Sequence, residues 1–135
     1  MMEAFFPYAA TTDGIVVRVA PRYLAEQSDP ASGRHAWSYH VRIENGSDRP
    51  VQLFARHWII TDARGNVEEI EGEGVVGEQP VIAPGGSFDY VSGCPLSTAT
   101  GTMHGTYGMV ADGEVFAVAI PLFTLDSPHA RTMLN

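Results

Sequence analysis

The fold is decided by a short stretch in the first third of the chain, which reads WSYHVRI at residues 37–43. Alternate residues from Trp37 to Ile43 are apolar, and the residues between them are polar. Because successive side chains of a strand point to opposite faces of a sheet, this alternation is typical of a strand with one buried face. Asn45-Gly46 follows it and is a strong signal for a hairpin turn, although the loop extends to Pro50.

Similar strand signals continue on both sides of this stretch. Residues 15–19 are mostly β-branched, residues 87–90 alternate after a turn, and residues 115–125 are largely apolar. Pro121 lies inside the last segment, and since proline cannot donate to a strand ladder, it predicts a bulge or an edge position there. The chain also has 14 glycines and 9 prolines, which leave few windows long enough for a helix.

Residues 51–64 fit two interpretations, because they contain neither glycine nor proline. An apolar stripe with helical spacing runs through them, but Leu53 and Ile60 fall outside it. The β-branched run at residues 59–61 favours a strand, and the sequence at residues 62–65 is typical of a turn that ends it. We therefore expect a buried strand.

Taken together, about seven short strands with turn signals between them predict an all-β sandwich or barrel. The length of 135 residues corresponds to one domain, and no linker or repeat divides it. We expect a single domain over residues 1–135, with loose termini at residues 1–12 and 127–135.

Composition excludes several classes of function. Sixteen acidic and eight basic residues give a net charge of −8, which argues against a double-stranded nucleic acid partner. All eight basic residues are arginine, so Schiff-base chemistry and a Walker lysine are excluded. Cys94 is the single cysteine, so no internal disulfide forms. The start has no basic signal-peptide region, and no apolar run is long enough for a bilayer. We expect a cytoplasmic protein without a membrane partner.

From Arg56 onward the chain resembles the ApaG family of small bacterial proteins. The resemblance rests on ordered segments at residues 56–62, 72–80, 83–85, 88–93, 101–109 and 120–123. It implies an antiparallel β-sandwich of the immunoglobulin or fibronectin type III kind, and a domain that recurs in larger eukaryotic proteins as an interaction module. It also implies a loose link to cobalt and magnesium resistance and to diadenosine polyphosphate metabolism, with no assigned reaction.

The glycine motif Gly72-x-Gly74-x-x-Gly77 is the most conspicuous candidate site. In a dinucleotide-binding fold such a motif precedes a helix, but two prolines within the next seven residues prevent a helix here. We therefore expect a tightly turned β-segment with glycines at positive φ. The alternative is a backbone nest that binds pyrophosphate or a nucleotide with help from Arg56.

No catalytic or metal-ligating set is apparent in the sequence. The five histidines lack the i, i+4 spacing of a helical zinc site. The glutamates between residues 68 and 78 have the chemistry to hold Mg²⁺ or Co²⁺, but we favour a solvated rim that protects an edge strand. Cys94 is expected to be a semi-buried thiol, and no histidine is near Ser92 in the sequence. We predict no catalytic residue, no metal site and no cofactor.

Arg56 and Trp58 lie two residues apart and would share one face of a strand. We favour a packing role for this pair, with ligand binding as the alternative. Overall we predict a non-enzymatic binding module whose partner is another protein, with a homodimer left open. The alternatives are the binding or hydrolysis of pyrophosphate or a nucleotide at the Gly72–Gly77 loop, and a role in the homeostasis of Co²⁺ and Mg²⁺. The candidate ligand-binding residues are Gly72, Gly74, Gly77, Arg56 and Trp58.

Overall fold

The computed structural model describes residues 5–128, which form nine strands and two short 3₁₀ turns. The strands are β1 (Tyr8–Thr12), β2 (Ile15–Tyr23), β3 (His35–Asn45), β4 (Val51–Asp62), β5 (Val67–Glu73), β6 (Val81–Ile82), β7 (Ser87–Leu96), β8 (Thr100–Ala111) and β9 (Glu114–Asp126). The 3₁₀ turns, Ala25–Gln27 and Pro30–Ser32, lie in the connection between β2 and β3. In the described residues, no helix is long and apolar enough to cross a membrane.

The strands form two antiparallel sheets that pack face to face. The first sheet has the order β1-β2-β3-β7, and the second has the order β5-β4-β8-β9, with β6 paired to the start of β4. The buried face predicted for residues 37–43 is confirmed, because Trp37 and Ile43 are fully enclosed. Trp58 of β4 packs edge-on against Tyr39 of β3, with ring centroids 5.2 Å apart. The predicted all-β sandwich is therefore confirmed.

The turn after β3 differs from the prediction. Asn45-Gly46 does not form a hairpin, because β3 pairs with β2 and β7 while β4 belongs to the other sheet. The Asn45 side chain is buried, and its Nδ2 donates to the carbonyl oxygens of Arg49 and Ile82 at 2.8 and 2.9 Å. These two hydrogen bonds direct the chain from one sheet into the other, which a local turn signal does not reveal.

The structure has nine strands in its described residues rather than about seven, because β1 and β6 are added. The expectation of a loose segment over residues 1–12 is wrong for Tyr8–Thr12, which pairs with β2. The Tyr8 hydroxyl also contacts Thr124 Oγ1 at 2.8 Å, so β1 is fixed to β9. Residues 1–4 lie outside the described residues.

The predicted loose segment at residues 127–135 is described only at its first two positions. Ser127 is buried, and its backbone N–H donates to the carbonyl of Ala99 at 3.0 Å. The expectation is therefore wrong for Ser127, because this hydrogen bond fixes the chain after β9. Residues 129–135 lie outside the described residues.

Two local predictions about strands are confirmed. Residues 51–62 form a strand and not a helix, and Gly65 in the following turn has a φ of +87°. Pro121 lies in the edge strand β9, where the pairing with β8 shifts between Met103 and Gly105. That shift is a bulge, so both predicted settings for Pro121 occur together.

The two long edges of the sandwich differ. On one side β1 and β9 lie together, and Ala119 N donates to Thr12 Oγ1 at 3.1 Å. On the other side β5 and β7 are the outermost strands of their sheets among the described residues, and neither pairs with the other. The sandwich is thus closed along one edge and open along the other.

Candidate binding groove

The open edge of the sandwich carries a cavity of about 670 Å³, which we call the β5–β7 groove. One wall comes from β7 between Tyr90 and Leu96, and the other comes from β5 and residues 75–77. The buried rings of Tyr39 and Trp58 line its inner side. This volume lies within the range of roughly 300–1,000 Å³ that is usual for ligand pockets.

Arg56 is held in this groove by the backbone of the glycine segment. Its Nη1 donates to the carbonyl oxygens of Glu73 at 2.8 Å and Gly74 at 2.9 Å. A Cβ at Gly72 would lie 2.6 Å from Arg56 Nη2, so only glycine at this position leaves room for the guanidinium. Within the described residues, no carboxylate lies within the 4 Å ion-pair distance of Arg56. The guanidinium is therefore positioned without being neutralised by a carboxylate.

Tyrosine hydroxyls gather beside Arg56. The Tyr90 hydroxyl, from the first sheet, is hydrogen-bonded to the Tyr107 hydroxyl, from the second sheet. Burial is the largest cause that raises the pKa values of Tyr39, Tyr90 and Tyr107. The Arg56 charge acts in the opposite direction on the pKa of Tyr39 and Tyr90, by less than burial does. At neutral pH these phenols are uncharged and able to donate hydrogen bonds.

Carboxylates occupy a different part of the groove from Arg56. Glu68 and Asp62 both line it. Asp62 accepts hydrogen bonds from the side chain of Asn66 and from the backbone N–H groups of Arg64 and Asn66, and the Asn66 side chain is the first cause that lowers the pKa of Asp62. In the β4–β5 pairing, Arg56 is opposite Gly72 and Ile60 is opposite Glu68. Four residues of strand separate these pairs, which is roughly 13 Å.

Cys94 also lines the groove, but it is poorly suited to act as a nucleophile. Its side chain is buried, and burial raises the pKa of the thiol to about 11, with a smaller contribution from Glu68. At neutral pH the thiol is therefore protonated, whereas thiol chemistry requires the thiolate. The thiol is buried, rather than semi-buried as predicted.

The three motif glycines each have a structural reason. Gly72 makes room for Arg56, while Gly74 and Gly77 have φ values of +61° and +81°. Residues 75–78 form a two-residue hairpin in which the N–H and carbonyl groups of Val75 and Glu78 bond each other at 2.8 and 2.9 Å. No helix follows, because the chain continues into β6. The predicted tight turn is confirmed, except that Gly72 does not have a positive φ.

The structure brings the sequence-predicted residues together. Arg56, Trp58 and Gly77 line the groove, and Gly72 and Gly74 hold Arg56 in place. Three further residues line the groove. Glu68 and Ser92 were considered from the sequence only as a metal ligand and a nucleophile and were not favoured, and Tyr90 was not singled out as a site residue. The alternation at residues 87–90 indicates an inward Tyr90, but nothing local indicates that it meets Arg56.

His57 and two glutamates of the acidic segment lie outside the groove and contact each other across two strands. His57 Nε2 lies 3.0 Å from Glu69 and 3.8 Å from Glu71, on strands β4 and β5. Between Phe5 and Pro128, no three His, Cys, Asp or Glu residues are grouped so as to hold a metal ion. His57 and these two glutamates therefore make polar contacts at the surface between β4 and the edge strand β5.

Comparison with known proteins settles the family. A family model described as the ApaG domain matches residues 25–111. The chain belongs to the ApaG family. It is 55% identical to Protein ApaG of Azorhizobium caulinodans over 95% of this chain and 99% of that one. It is also 57% identical to Protein ApaG of Rhodospirillum centenum, with the same coverage of both chains.

The ApaG fold is also found among solved structures. A crystal structure of a Bordetella pertussis protein described as ApaA has a TM-score of 0.83 and 50% sequence identity, and the match covers 84% of this chain and 94% of that one. The C-terminal domain of wzt matches with a TM-score of 0.54 at 11% identity, so it shares the fold alone. The names of these ApaG relatives carry no reaction.

Proposed function

We propose that this ApaG-family chain is a non-catalytic, cytoplasmic binding domain that receives an extended segment of another protein in the β5–β7 groove. The observation that carries the proposal is the open edge of the sandwich. There, the outer edge of β7 has no strand partner among the described residues, and the groove lies beside it. An exposed strand edge offers main-chain hydrogen bonds to an added strand, and adjacent pockets accept its alternate side chains.

The chemistry of the groove supports binding over catalysis. Its lining contains no histidine, its thiol is protonated at neutral pH, and its phenols are uncharged. A hydrolytic site needs a nucleophile beside a base that accepts its proton. The groove instead combines apolar surface with a few fixed polar groups, which is the usual composition of a recognition site.

The sequence-derived alternatives have weaker support. For a phosphate nest in residues 72–77, three N–H groups of the loop region are already used. Gly74 N donates to the carbonyl of Phe54, Val75 N to the carbonyl of Glu78, and Glu78 N to the carbonyl of Val75. Several glutamates surround this loop and oppose a polyanion. For a role in divalent cation homeostasis, no observation on the described residues favours direct binding.

The test uses a synthetic hexapeptide library, prepared with both free-acid and amidated C-termini, and a matched pair of variants. Val76 lines the groove and is exposed, and Val115, which lies on the opposite edge strand β9, is somewhat more exposed. We expect Val76→Asp to weaken the binding of selected peptides at least fivefold and Val115→Asp to leave it unchanged. The backbone amides of Gly93 and Leu96 should shift in NMR titrations with the same peptides.

Two results would count against this proposal. One is the absence of binding by any library peptide at millimolar concentration in either C-terminal form. The other is an equal effect of the Val76 and Val115 substitutions, since the binding would then not involve the groove.

A further inference from the structure

We infer that the bound segment is the C-terminus of a polypeptide, whose terminal carboxylate is held by Arg56 and whose basic side chain four residues upstream faces Glu68 and Asp62. This inference rests on the proposed peptide-binding function of the groove. It adds the chemistry and the direction of the ligand.

Arg56 has the features of a carboxylate receptor. Only its Nη1 donates to protein acceptors, so Nε and Nη2 have no acceptor among the described residues. Four other arginines, by contrast, are in ion pairs with carboxylates. A guanidinium that is already fixed by two carbonyls loses little side-chain freedom on binding, and its planar donors match a carboxylate.

The surroundings of Arg56 favour a singly charged carboxylate over a phosphate. One arginine is present, the neighbouring phenols are neutral donors, and Glu68 and Asp62 line the same groove. A second negative charge on the ligand would meet these carboxylates without a second cation to offset it. Apolar groups from Ile70, Val75 and Trp58 line the groove and suit the side chain of a terminal apolar residue.

The end of the groove favours a chain terminus. Beyond Arg56, residues 75–78 fold back as a hairpin, and Gly74 N and Leu53 N bond the carbonyls of Phe54 and Pro80. Val75 of this hairpin is buried and lines the groove. An extended segment whose last residue lies at Arg56 therefore meets the hairpin, and its upstream residues lie along the groove toward the side chains of Glu68 and Asp62.

The spacing of the charges sets the position of the basic residue. Arg56 and Glu68 lie in strand pairs four residues apart on β4. An extended peptide advances roughly 3.3 Å per residue, so a lysine about four residues before the terminal carboxylate reaches Glu68. Neither Glu68 nor Asp62 is ion-paired with a described cation. Asp62 accepts hydrogen bonds from Arg64 and Asn66, so Glu68 is the more accessible partner for that lysine and Asp62 adds negative charge beside it.

The probe is a library of N-acetylated pentapeptides with lysine first and apolar residues at the other positions, made as free acids and as C-terminal amides. We expect native protein to bind the acids at least tenfold more tightly than the amides by fluorescence polarisation. Arg56→Gln should reduce this ratio to within twofold while the affinity for the amides is retained. Arg64→Gln removes the same charge from the β4–β5 turn outside the groove, and it should leave the ratio unchanged.

A second variant covers the case in which Arg56→Gln fails to fold. Glu68 is exposed, and we expect Glu68→Gln to abolish the preference for lysine over alanine at the first peptide position without changing the acid-to-amide ratio. The inference is overturned, and the proposed function stands, if native protein binds acids and amides equally. It is also overturned if folded Arg56→Gln keeps the tenfold ratio, or if a peptide with an internal aspartate and an amidated end binds as tightly as the acids. Failure of every peptide to bind would overturn both.

Discussion

At the scale of single residues, two glycines of the segment leave space that a side chain would fill, and this space positions the groups around the groove. Gly72 allows the Arg56 guanidinium to cross the strand, and Gly74 allows the chain to approach the carbonyl of Glu78. Gly77 meets a different need, because its φ of +81° is the only requirement at that position and no atom lies near its missing side chain. Three glycines of one motif therefore have three separate physical roles.

This difference predicts unequal effects of alanine at two of these positions. A Cβ at Gly74 would lie 2.2 Å from the Glu78 carbonyl oxygen, in addition to a φ of +61°. We expect Gly77→Ala to lower the free energy of unfolding by about 1 kcal/mol from backbone strain alone. Gly74→Ala should lower it by roughly 3 kcal/mol or more, because backbone atoms must also move. Urea denaturation of both variants checks this, and equal losses would contradict the prediction.

Cys94 allows a second prediction at the residue scale. Because burial raises the pKa of its thiol to about 11, the thiolate fraction should increase about tenfold for each pH unit between pH 7 and 10. The rate of reaction with a disulfide reagent should follow this increase, and the single cysteine makes the readout unambiguous. Free glutathione is the control, since its rate levels off above an ordinary thiol pKa of about 8.5. A plateau in the Cys94 rate below pH 9 would show that the thiol is not perturbed.

At the scale of strands, the inner faces of β7 and β8 are joined by a polar contact within an apolar core. Tyr90 and Tyr107 bond through their hydroxyls, and Tyr107 is fully enclosed while Tyr90 borders the groove. The contact links the two sheets at the point where the sandwich begins to open. The contact is a buried polar pair in which the enclosed Tyr107 hydroxyl depends on Tyr90 for its hydrogen bond.

Phenylalanine substitutions test this coupling between the strands. Tyr90→Phe leaves the enclosed Tyr107 hydroxyl without its partner and should cost roughly 2–3 kcal/mol of unfolding free energy. Tyr107→Phe should cost less, because the Tyr90 hydroxyl can reach water in the groove. The double variant should lose less than the sum of the two single variants, by at least about 0.5 kcal/mol. Denaturation of all four proteins measures this, and strict additivity would disprove the coupling.

At the scale of the whole molecule, the sandwich is closed along β1 and β9 and open along β5 and β7. The hydrogen bonds of Tyr8 and Thr12 fix the closed edge. The open edge combines apolar walls, one positioned arginine and two carboxylates within a chain of net charge −8. Because of this asymmetry the β5–β7 groove lies at the open edge, where the proposed function uses it.

The buried tyrosines predict how the stability of the whole molecule depends on pH. Burial raises the pKa of Tyr39, Tyr90 and Tyr107 above the ordinary value, so above about pH 10 the unfolded chain loses protons that the folded chain retains. Stability is therefore fully present below about pH 10 and decreases above it, by up to about 1.4 kcal/mol per pH unit for each tyrosine. Cys94 acts in the same direction from slightly lower pH. Urea midpoints between pH 8 and 11 measure the slope.

Tyr107→Phe serves as the control for this pH dependence. It removes one of the three raised phenols, so its alkaline slope should be shallower than that of the native protein. A slope that does not change in this variant would mean that the enclosed phenol is not responsible.

Local sequence was sufficient for most of the strands but for only part of the site. The alternation at residues 37–43 and the β-branched run at residues 59–61 indicated strands because burial on one face leaves a period of two. The polar strand β1 gave no such signal, since its fixation depends on contacts with β9 more than a hundred residues away. Arg56 and Trp58 were placed on one face from their spacing, but Tyr90 and Glu68 were not recognised as their neighbours.

The sequence by itself determined the all-β class, the tight turn at the glycine motif and the absence of a helix after it, because these depend on side-chain period, proline and glycine. Only the tertiary structure decided that Asn45 sends the chain into the second sheet and that β5 and β7 remain apart. It also decided that Arg56 points into the resulting groove. These features arise from contacts between residues that are distant in the chain. A local sequence pattern does not indicate which distant residue a side chain will contact.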